Sequence, residues 1–223
     1  GEMSAGAQAP LAGVRVLDLT QVIAGPYCTA MLADMGAEVV KIERPGTGDD
    51  LRSVHRYEGR EEHEDYFYAN NRSKKSVAVD LKKPGGRSAA HELARRADVL
   101  VENFSPGTAH RLGMGWEDLS PLNPRLVYCS LSGFGQDGPY RDRPGLDPIL
   151  QAVSGVMSVT GLPGEEPRMI GSPLADVMAG MFSAFAVVSA LQAASREGRG
   201  RRIDVSLQDA MLAGLGPRMG ETL

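Results

Sequence analysis

The chain has 223 residues, of which 42% are hydrophobic and 23% are charged, a balance typical of a soluble globular protein with one sizeable core. Its formal net charge of −4 argues against nucleic acid binding across the whole surface, so an anionic ligand needs a local cluster of basic groups. The two cysteines, Cys28 and Cys129, lack the spacing of a metal site and predict buried, reduced thiols in a cytoplasmic protein.

The two ends and the most apolar run predict neither a leader nor a membrane anchor. Residues 1–10 are predicted to be a disordered lead-in whose first residues are a tag remnant. Because these residues lack a charged-then-apolar pattern, no signal peptide is predicted. Residues 177–191 form the most apolar run, which is shorter than the roughly 20 residues that a bilayer span needs. We therefore expect no membrane span.

Strand, helix and strand follow one another in the first part of the chain. Apolar runs at residues 14–19 and 38–42 are typical of buried strands. Between them, residues 27–35 carry apolar side chains at helical spacing, with Pro26 suited to the helix start and Gly36 to its end. Such a βαβ unit predicts a parallel sheet.

The same alternation continues to the end of the chain and predicts an α/β fold with a doubly wound, mostly parallel sheet, like the Rossmann fold. The first turn, residues 21–26, lacks a G-x-G-x-x-G pattern, and Pro26 removes an amide donor, which argues against a nicotinamide enzyme. Further strands are predicted at residues 76–81, 99–101, 125–131 and 201–206, with helices at 85–96, from 173 or 174 to about 195, and from 207 onward.

Several basic residues follow predicted strand ends, where parallel sheets bind ligands. Arg44 comes directly after the second strand and suits a phosphate, although an exposed turn arginine is the alternative. Lysine and arginine side chains also cluster at residues 70–76 and 79–83, where they suit either a phosphate ligand or a solubilising surface.

Two further loops carry candidate binding groups. Asn103 and Phe104 follow the strand at 99–101 and offer amide groups and a ring face for a purine, unless they form a capping turn with a core aromatic residue. Arg111 lies shortly downstream. The glycine-rich residues 130–140 suit either a loop over a substrate or a plain connector.

Asp176 lies in the first turn of the long apolar helix, with Gly180 one turn later on the same face. An aspartate at this position commonly complements the helix dipole. The alternative is a partly desolvated carboxylate nucleophile, which a ligand approaches closely because glycine leaves room. Backbone amides near the helix start are expected to stabilise an oxyanion in that case.

Together these segments resemble the family III coenzyme A transferases, which include formyl-CoA and carnitine-CoA transferases, and the related α-methylacyl-CoA racemases. The resemblance covers nearly the whole chain, from residues 10–18 to residues 198–210. Its markers, in order, are residues 24–26, 41–43, 70–76, 80–82, 101–104 and 133–135.

The resemblance implies a Rossmann-like, CoA-binding catalytic domain over residues 11–223, a small domain beyond residue 223, and an interlocked homodimer. It implies acyl-CoA and a carboxylic acid acceptor as substrates, with no tightly bound cofactor and no metal. Its catalytic aspartate falls on Asp176, which would form a mixed anhydride and then a thioester with CoA. Its other site residues are Arg44, Lys82, Asn103, Phe104 and Arg111 along CoA, with Val22 and Ile23 near the thioester.

The chain differs from the racemases at one position that bears on the type of reaction. The racemases have a histidine before a family aspartate that here is Asp147, and this chain has Leu146 there, which cannot take a proton. The resemblance therefore favours an acyl-CoA:carboxylate CoA transferase. The alternatives are a racemase-like isomerase and a truncated CoA-binding module without turnover.

Overall fold

A computed structural model describes residues 8–54 and 65–216, which form one sheet flanked by helices. The strands are β1 (Arg15–Asp18), β2 (Glu38–Glu43), β3 (Lys74–Ala78), β4 (Val99–Glu102), β5 (Val127–Ser132) and β6 (Arg202–Ser206). The helices are α1 (Ala24–Asp34), α2 (Leu51–Val54), α3 (Asp65–Asn71), α4 (Pro84–Arg96), α5 (Thr108–Arg111), α6 (Trp116–Leu119), α7 (Asp147–Val153), α8 (Leu174–Glu197) and α9 (Leu207–Leu215), with a 3-10 turn at Val156–Val159.

The strand order is β3-β2-β1-β4-β5-β6, and every neighbouring pair is parallel, which confirms the predicted doubly wound α/β fold. The chain winds outward from β1 to β3 on one side and from β4 to β6 on the other. The order therefore reverses between β1 and β4. In open parallel sheets, ligands bind outside the carboxyl ends of the strands at this switch point.

Both faces of the sheet are covered because successive strand residues point to opposite sides. Val16, Val99 and Val101 join one core with α1, α7, α8 and α9. Leu17 and Leu100 belong to a second core, which α4 and the segment around α6 complete. Near-continuous apolar strands of this kind are typical of parallel sheets buried on both faces.

Helix α8 packs against α1 at Gly180. A Cβ atom on Gly180 would lie 2.8 Å from the carbonyl oxygen of Ala24 and 3.0 Å from the Tyr27 ring. The expectation that this glycine leaves room for a ligand is therefore wrong, because the backbone of α1 fills the space. The close approach instead brings the start of α1 toward the turn of α8 that carries Asp176.

Helix α8 has 24 residues, so the apolar run seen in the sequence understates its length. By length and composition alone it is long enough to cross a membrane. Its buried residues recur every three or four positions along one stripe, and the helix packs against α1, β5 and α9. That packing, rather than its length, identifies α8 as a core helix of this sheet.

Two elements differ from those predicted from the sequence. Strand β3 is Lys74–Ala78 rather than residues 76–81, because its buried lysine does not carry an apolar signal. Helix α7 was not predicted, since residues 147–153 follow a segment rich in glycine and polar residues. The predicted lead-in falls largely on residues 1–7, which lie outside the described residues, as do residues 217–223.

Candidate functional site

A cavity of about 280 Å³, here called the first cavity, opens at the carboxyl ends of the strands. Asp176 and Asp147 line it together with Asn103 and Phe104, which follow β4. Val22 and Ile23 line the same cavity from the start of α1. Five of the residues predicted for the site therefore meet at the switch point, although they come from three separate parts of the sequence: Val22, Ile23, Asn103, Phe104 and Asp176.

Asp176 is partly buried in the first turn of α8. Burial raises the pKa of its carboxyl group to about 7, and the nearby charge of Asp147 raises it further in the same direction. The carboxyl group of Asp176 is therefore both accessible from the cavity and poised to titrate near neutral pH. This combination is typical of functional carboxylates.

Asp147 caps the helix that carries Asp176. Its Oδ1 atom accepts hydrogen bonds from the backbone amides of Ala175 at 2.7 Å and Asp176 at 3.3 Å. These contacts join residues 28 and 29 positions apart, so no local sequence signal predicted them. They also correct the oxyanion expectation, because these two amides at the start of α8 already have a carboxylate acceptor.

Gln151 fixes the segment that leads into α8. Its fully buried amide Nε2 donates to Asp147 Oδ2 at 2.7 Å and to the Ser172 carbonyl at 3.1 Å, and its Oε1 accepts from the Ile170 amide at 2.9 Å. Buried, fully paired side-chain networks of this kind hold a single geometry. Sequence reasoning missed Gln151, since a glutamine in an unpredicted helix gives no signal.

Another part of the cavity wall is a backbone turn held in an uncommon conformation. Val22 has φ 66°, in the left-handed region that β-branched residues rarely adopt. Asn103 holds Gln21, the residue before Val22, at both ends of its backbone. The Oδ1 atom of Asn103 accepts from the Gln21 amide at 2.8 Å, and its Nδ2 atom donates to the Gln21 carbonyl at 2.7 Å. The amide of Val22 donates to Asp49 Oδ1 at 3.1 Å. Asn103 thus supports the wall in addition to lining the cavity.

Buried ion pairs lie beneath this turn. Lys41 Nζ is 2.9 Å from Asp49 Oδ2 and donates to the Thr20 carbonyl at 2.6 Å. Lys74 Nζ is 3.0 Å from Asp18 Oδ2. Burial alone would raise the pKa of Asp18, but the Lys74 and Lys41 ammonium groups lower this pKa to about 2. Lys74 is therefore not available to a ligand, and the phosphate interpretation of residues 70–76 is wrong for this residue.

A second cavity, of about 520 Å³, adjoins the first. Arg44 and Lys82 line it, and Phe104 lines both cavities. Arg44 also pairs with Asp50 at the surface. Arg111 lines neither cavity; its guanidinium donates to the hydroxyl of Thr108, a residue that does line the second cavity.

Glu102 supports the Phe104 turn from below. This buried carboxyl group accepts a hydrogen bond from the Phe104 amide at 2.9 Å. Burial raises the pKa of Glu102 to about 7. This contact holds the backbone of Phe104, a residue that lines both cavities.

Residues 133–145 form a loop, here called the overhanging loop, whose ends touch. A Cβ atom on Gly133 would lie 2.4 Å from Gly145 Cα, so only glycines fit at this neck. Inside the loop, the Phe134 and Tyr140 rings are 5.7 Å apart in an edge contact, and the Arg143 guanidinium lies 3.9 Å from the Tyr140 ring centroid. Loops closed at the neck and packed by their own side chains are frequently functional. Arg141 and Arg143 both line the first cavity.

Comparison with known proteins gives a consistent result. The sequence model described as CoA-transferase family III matches residues 11–223. The chain is 44% identical over 209 residues to the succinate–glutarate CoA-transferase of Agrobacterium fabrum, covering 92% of this chain and 52% of the relative. It is 47% identical over 205 residues to the acetyl-CoA:oxalate CoA-transferase of Acetobacter aceti, again covering 92% of this chain and 52% of the relative.

A solved structure shares the fold. The crystal structure of a CAIB/BAIF family protein from Brucella suis matches with a TM-score of 0.90 at 39% identity, over 96% of this chain and 57% of that one. The chain therefore spans about half the length of the curated relatives that it matches.

Proposed function

Because the chain belongs to CoA-transferase family III, we propose that it transfers coenzyme A from an acyl-CoA to a carboxylic acid through covalent intermediates on Asp176. The observation that carries this proposal is the position of Asp176. Its carboxyl group lines a cavity at the switch point, and the pKa of that group is about 7, so a substantial fraction is ionised at neutral pH.

The proposed reaction has four steps that conserve atoms and charge. The Asp176 carboxylate attacks the thioester carbonyl carbon; the C–S bond breaks, leaving a mixed anhydride and the CoA thiolate. The thiolate then attacks the aspartyl carbonyl carbon, which releases the donor acid and forms an aspartyl-CoA thioester. The acceptor carboxylate attacks that thioester to give a second anhydride and the thiolate. Attack of the thiolate on the acceptor's carbonyl carbon yields the new acyl-CoA and restores Asp176.

The two cavities support a path for coenzyme A. The nucleotide end, with its phosphates, would lie in the second cavity, where Arg44 and Lys82 supply positive charge. The pantetheine arm would pass Phe104, which lines both cavities, and carry the thioester between Val22, Ile23 and Asp176. Arg111, whose guanidinium contacts Thr108 at the second cavity, would add positive charge beside this path. Coenzyme A is a substrate in this proposal rather than a tightly bound cofactor.

The first cavity favours transfer over racemisation. Leu146 lines the cavity beside Asp147 and offers no group that takes a proton. Of the four histidines, His91 and His110 line neither cavity, while His55 and His63 lie outside the described residues.

We propose short dicarboxylic acids as acceptors, because the similar proteins are named for glutarate, succinate and oxalate.

We also propose a homodimer, supported by the exposed apolar side chains of Met181, Phe182 and Phe185 along α8. A cytoplasmic location is consistent with Cys28 and Cys129, which are both free thiols buried in the core.

Trapping the covalent intermediates tests the mechanism. The full-length protein is incubated with acyl-CoA and then hydroxylamine, and its peptides are analysed by mass spectrometry. We expect a hydroxamate on Asp176 and none in the Asp176→Ala variant. Asp209, which also lies in the first turn of a helix, provides the matched control, and its alanine variant should label normally on Asp176. Labelling that survives Asp176→Ala, or no acyl-CoA-dependent labelling of the wild type, would refute the mechanism.

A further inference from the structure

Two basic side chains on the overhanging loop are not used by the mechanism above. Arg141 and Arg143 line the first cavity, whose other ionisable lining residues are Asp147 and Asp176. The lining of this cavity thus combines two acidic groups at the starts of α7 and α8 with two basic groups on the loop. An acceptor acid enters as an anion, and two carboxylates alone would repel it.

Arg143 is the better placed of the two arginines to bind an anion. Its guanidinium lies over the Tyr140 ring, 3.9 Å from the centroid, which restricts the orientation of the fork while leaving its N–H groups free to donate. Within the described part of the chain, no carboxylate forms an ion pair with Arg143, whereas Arg141 has Asp142 at 3.4 Å. Arg143 therefore carries a positive charge that no acid among the described residues neutralises through an ion pair.

The loop is built to hold this side chain in place. The neck at Gly133 and Gly145 closes it without room for a Cβ atom, and the edge contact of Phe134 with Tyr140 fixes the ring on which Arg143 lies. The first cavity is also at the small end of the range for ligand pockets. The small volume of the first cavity and the oriented guanidinium of Arg143 suit a short acid that has a second carboxylate.

We propose that Arg143 determines acceptor specificity by binding the carboxylate of a short dicarboxylic acid that does not react. One carboxylate then faces Asp176, and the other forms paired hydrogen bonds with the guanidinium. This inference rests on the proposed transferase function and assigns to Arg143 a role in binding the acceptor rather than in the chemistry.

The test compares acceptors that differ only in the distal charge. The full-length protein receives acetyl-CoA, which has no distal carboxylate, as donor. Succinate and glutarate are each assayed beside their monomethyl esters, in which that carboxylate is masked. We expect Arg143→Gln to raise KM for the diacids by about 10–100-fold, the loss typical of a charged hydrogen bond, and to leave KM for the monoesters within about 2-fold. Arg143→Lys should recover part of the loss, since it keeps the charge but not the fork.

The controls separate the possible failures. Turnover of the monoesters reports whether each variant remains folded, and Arg199→Gln at a distant exposed position should change neither KM. An equal loss with diacids and monoesters, or a discrimination lost in Arg141→Gln rather than Arg143→Gln, would overturn the role of Arg143. Wild-type transfer to monoesters but not to diacids would overturn it while leaving the transferase function intact. If the wild-type protein transferred coenzyme A to no acid at all, both the role of Arg143 and the proposed transferase function would be refuted.

Discussion

The carboxylate of Asp147 accepts hydrogen bonds from the first turn of α8 and lies close enough to Asp176 to raise its pKa. One residue therefore both positions the proposed nucleophile, Asp176, and adjusts its ionisation. The two effects oppose each other in function, because a well-capped helix fixes Asp176 while the like charge disfavours its reactive, ionised form.

The first prediction concerns the pH dependence of activity. Since the proposed mechanism requires an ionised Asp176, kcat/KM should rise with pH through an apparent pKa near 7 and then level off. Asp147→Asn keeps an oxygen that can cap α8 but removes the negative charge, so the apparent pKa should fall and the rise should move to lower pH. A pH–rate profile of both proteins checks this, and an unchanged or higher apparent pKa in the variant would contradict it.

The second prediction concerns stability. Because the folded-state pKa of Asp176 is about 7 and its ordinary value is 3.8, the folded protein binds the proton more tightly than the unfolded chain. The free energy of unfolding therefore falls as pH rises from about 4 to about 7. Asp176→Asn removes this penalty, and we expect it to be inactive yet more stable at pH 8, on the order of 1–3 kcal/mol.

Thermal unfolding of wild type and variant across pH measures this difference. The gain in stability should shrink toward pH 4, where the wild-type carboxyl group is protonated in the folded state. A helix-end aspartate that only complements the dipole gives the opposite sign, since its replacement by asparagine loses about 0.3–1 kcal/mol at neutral pH.

The third prediction tests the contact between α1 and α8. Gly180→Ala places a methyl group against the Ala24 carbonyl and the Tyr27 ring, so α1 must shift. We expect a loss of about 1–3 kcal/mol in the free energy of unfolding, partly offset by the higher helix propensity of alanine, together with reduced kcat. Chemical denaturation and steady-state kinetics provide the measurements.

Gly85 in the first turn of α4 provides the matched control for this substitution. A Cβ atom there meets nothing within 4 Å, so Gly85→Ala should be neutral or stabilising by about 0.4–1 kcal/mol. If both substitutions had the same effect, close packing at Gly180 would not be the cause.

The fourth prediction tests the second cavity. Lys82→Gln should weaken acyl-CoA binding by about 2–5-fold at low salt, because an exposed cation contributes modestly to phosphate binding. The effect should vanish near 1 M salt, where charges are screened within a few ångströms. Lys83→Gln is the neighbouring control, since Lys83 does not line the cavity and lies 3.9 Å from Asp80. Calorimetric titration with CoA distinguishes the two variants.

Local sequence predicted most of the fold but failed where a charged side chain is buried. The apolar runs of β1, β2, β4 and β5 were confirmed within about two residues, since burial on both faces demands continuous apolar residues. Strand β3 was displaced because Lys74, one of its residues, is buried against Asp18, a partner 56 positions earlier. The spacing of apolar residues in the sequence does not reveal an ion-pair partner so far away in the chain.

Sequence by itself determined the parallel sheet and the candidate residues, because strand patterns are local and parallel strands bring their following loops to one edge. Only the tertiary structure decided how these residues act together. It joined Asp147 to the helix of Asp176, filled the space at Gly180 with α1, turned Lys74 inward and placed Arg143 in the same cavity as the two carboxylates. The physical reason is that the pKa of a carboxyl group, the room beside a glycine and the partner of a charge depend on neighbours that are distant in the chain.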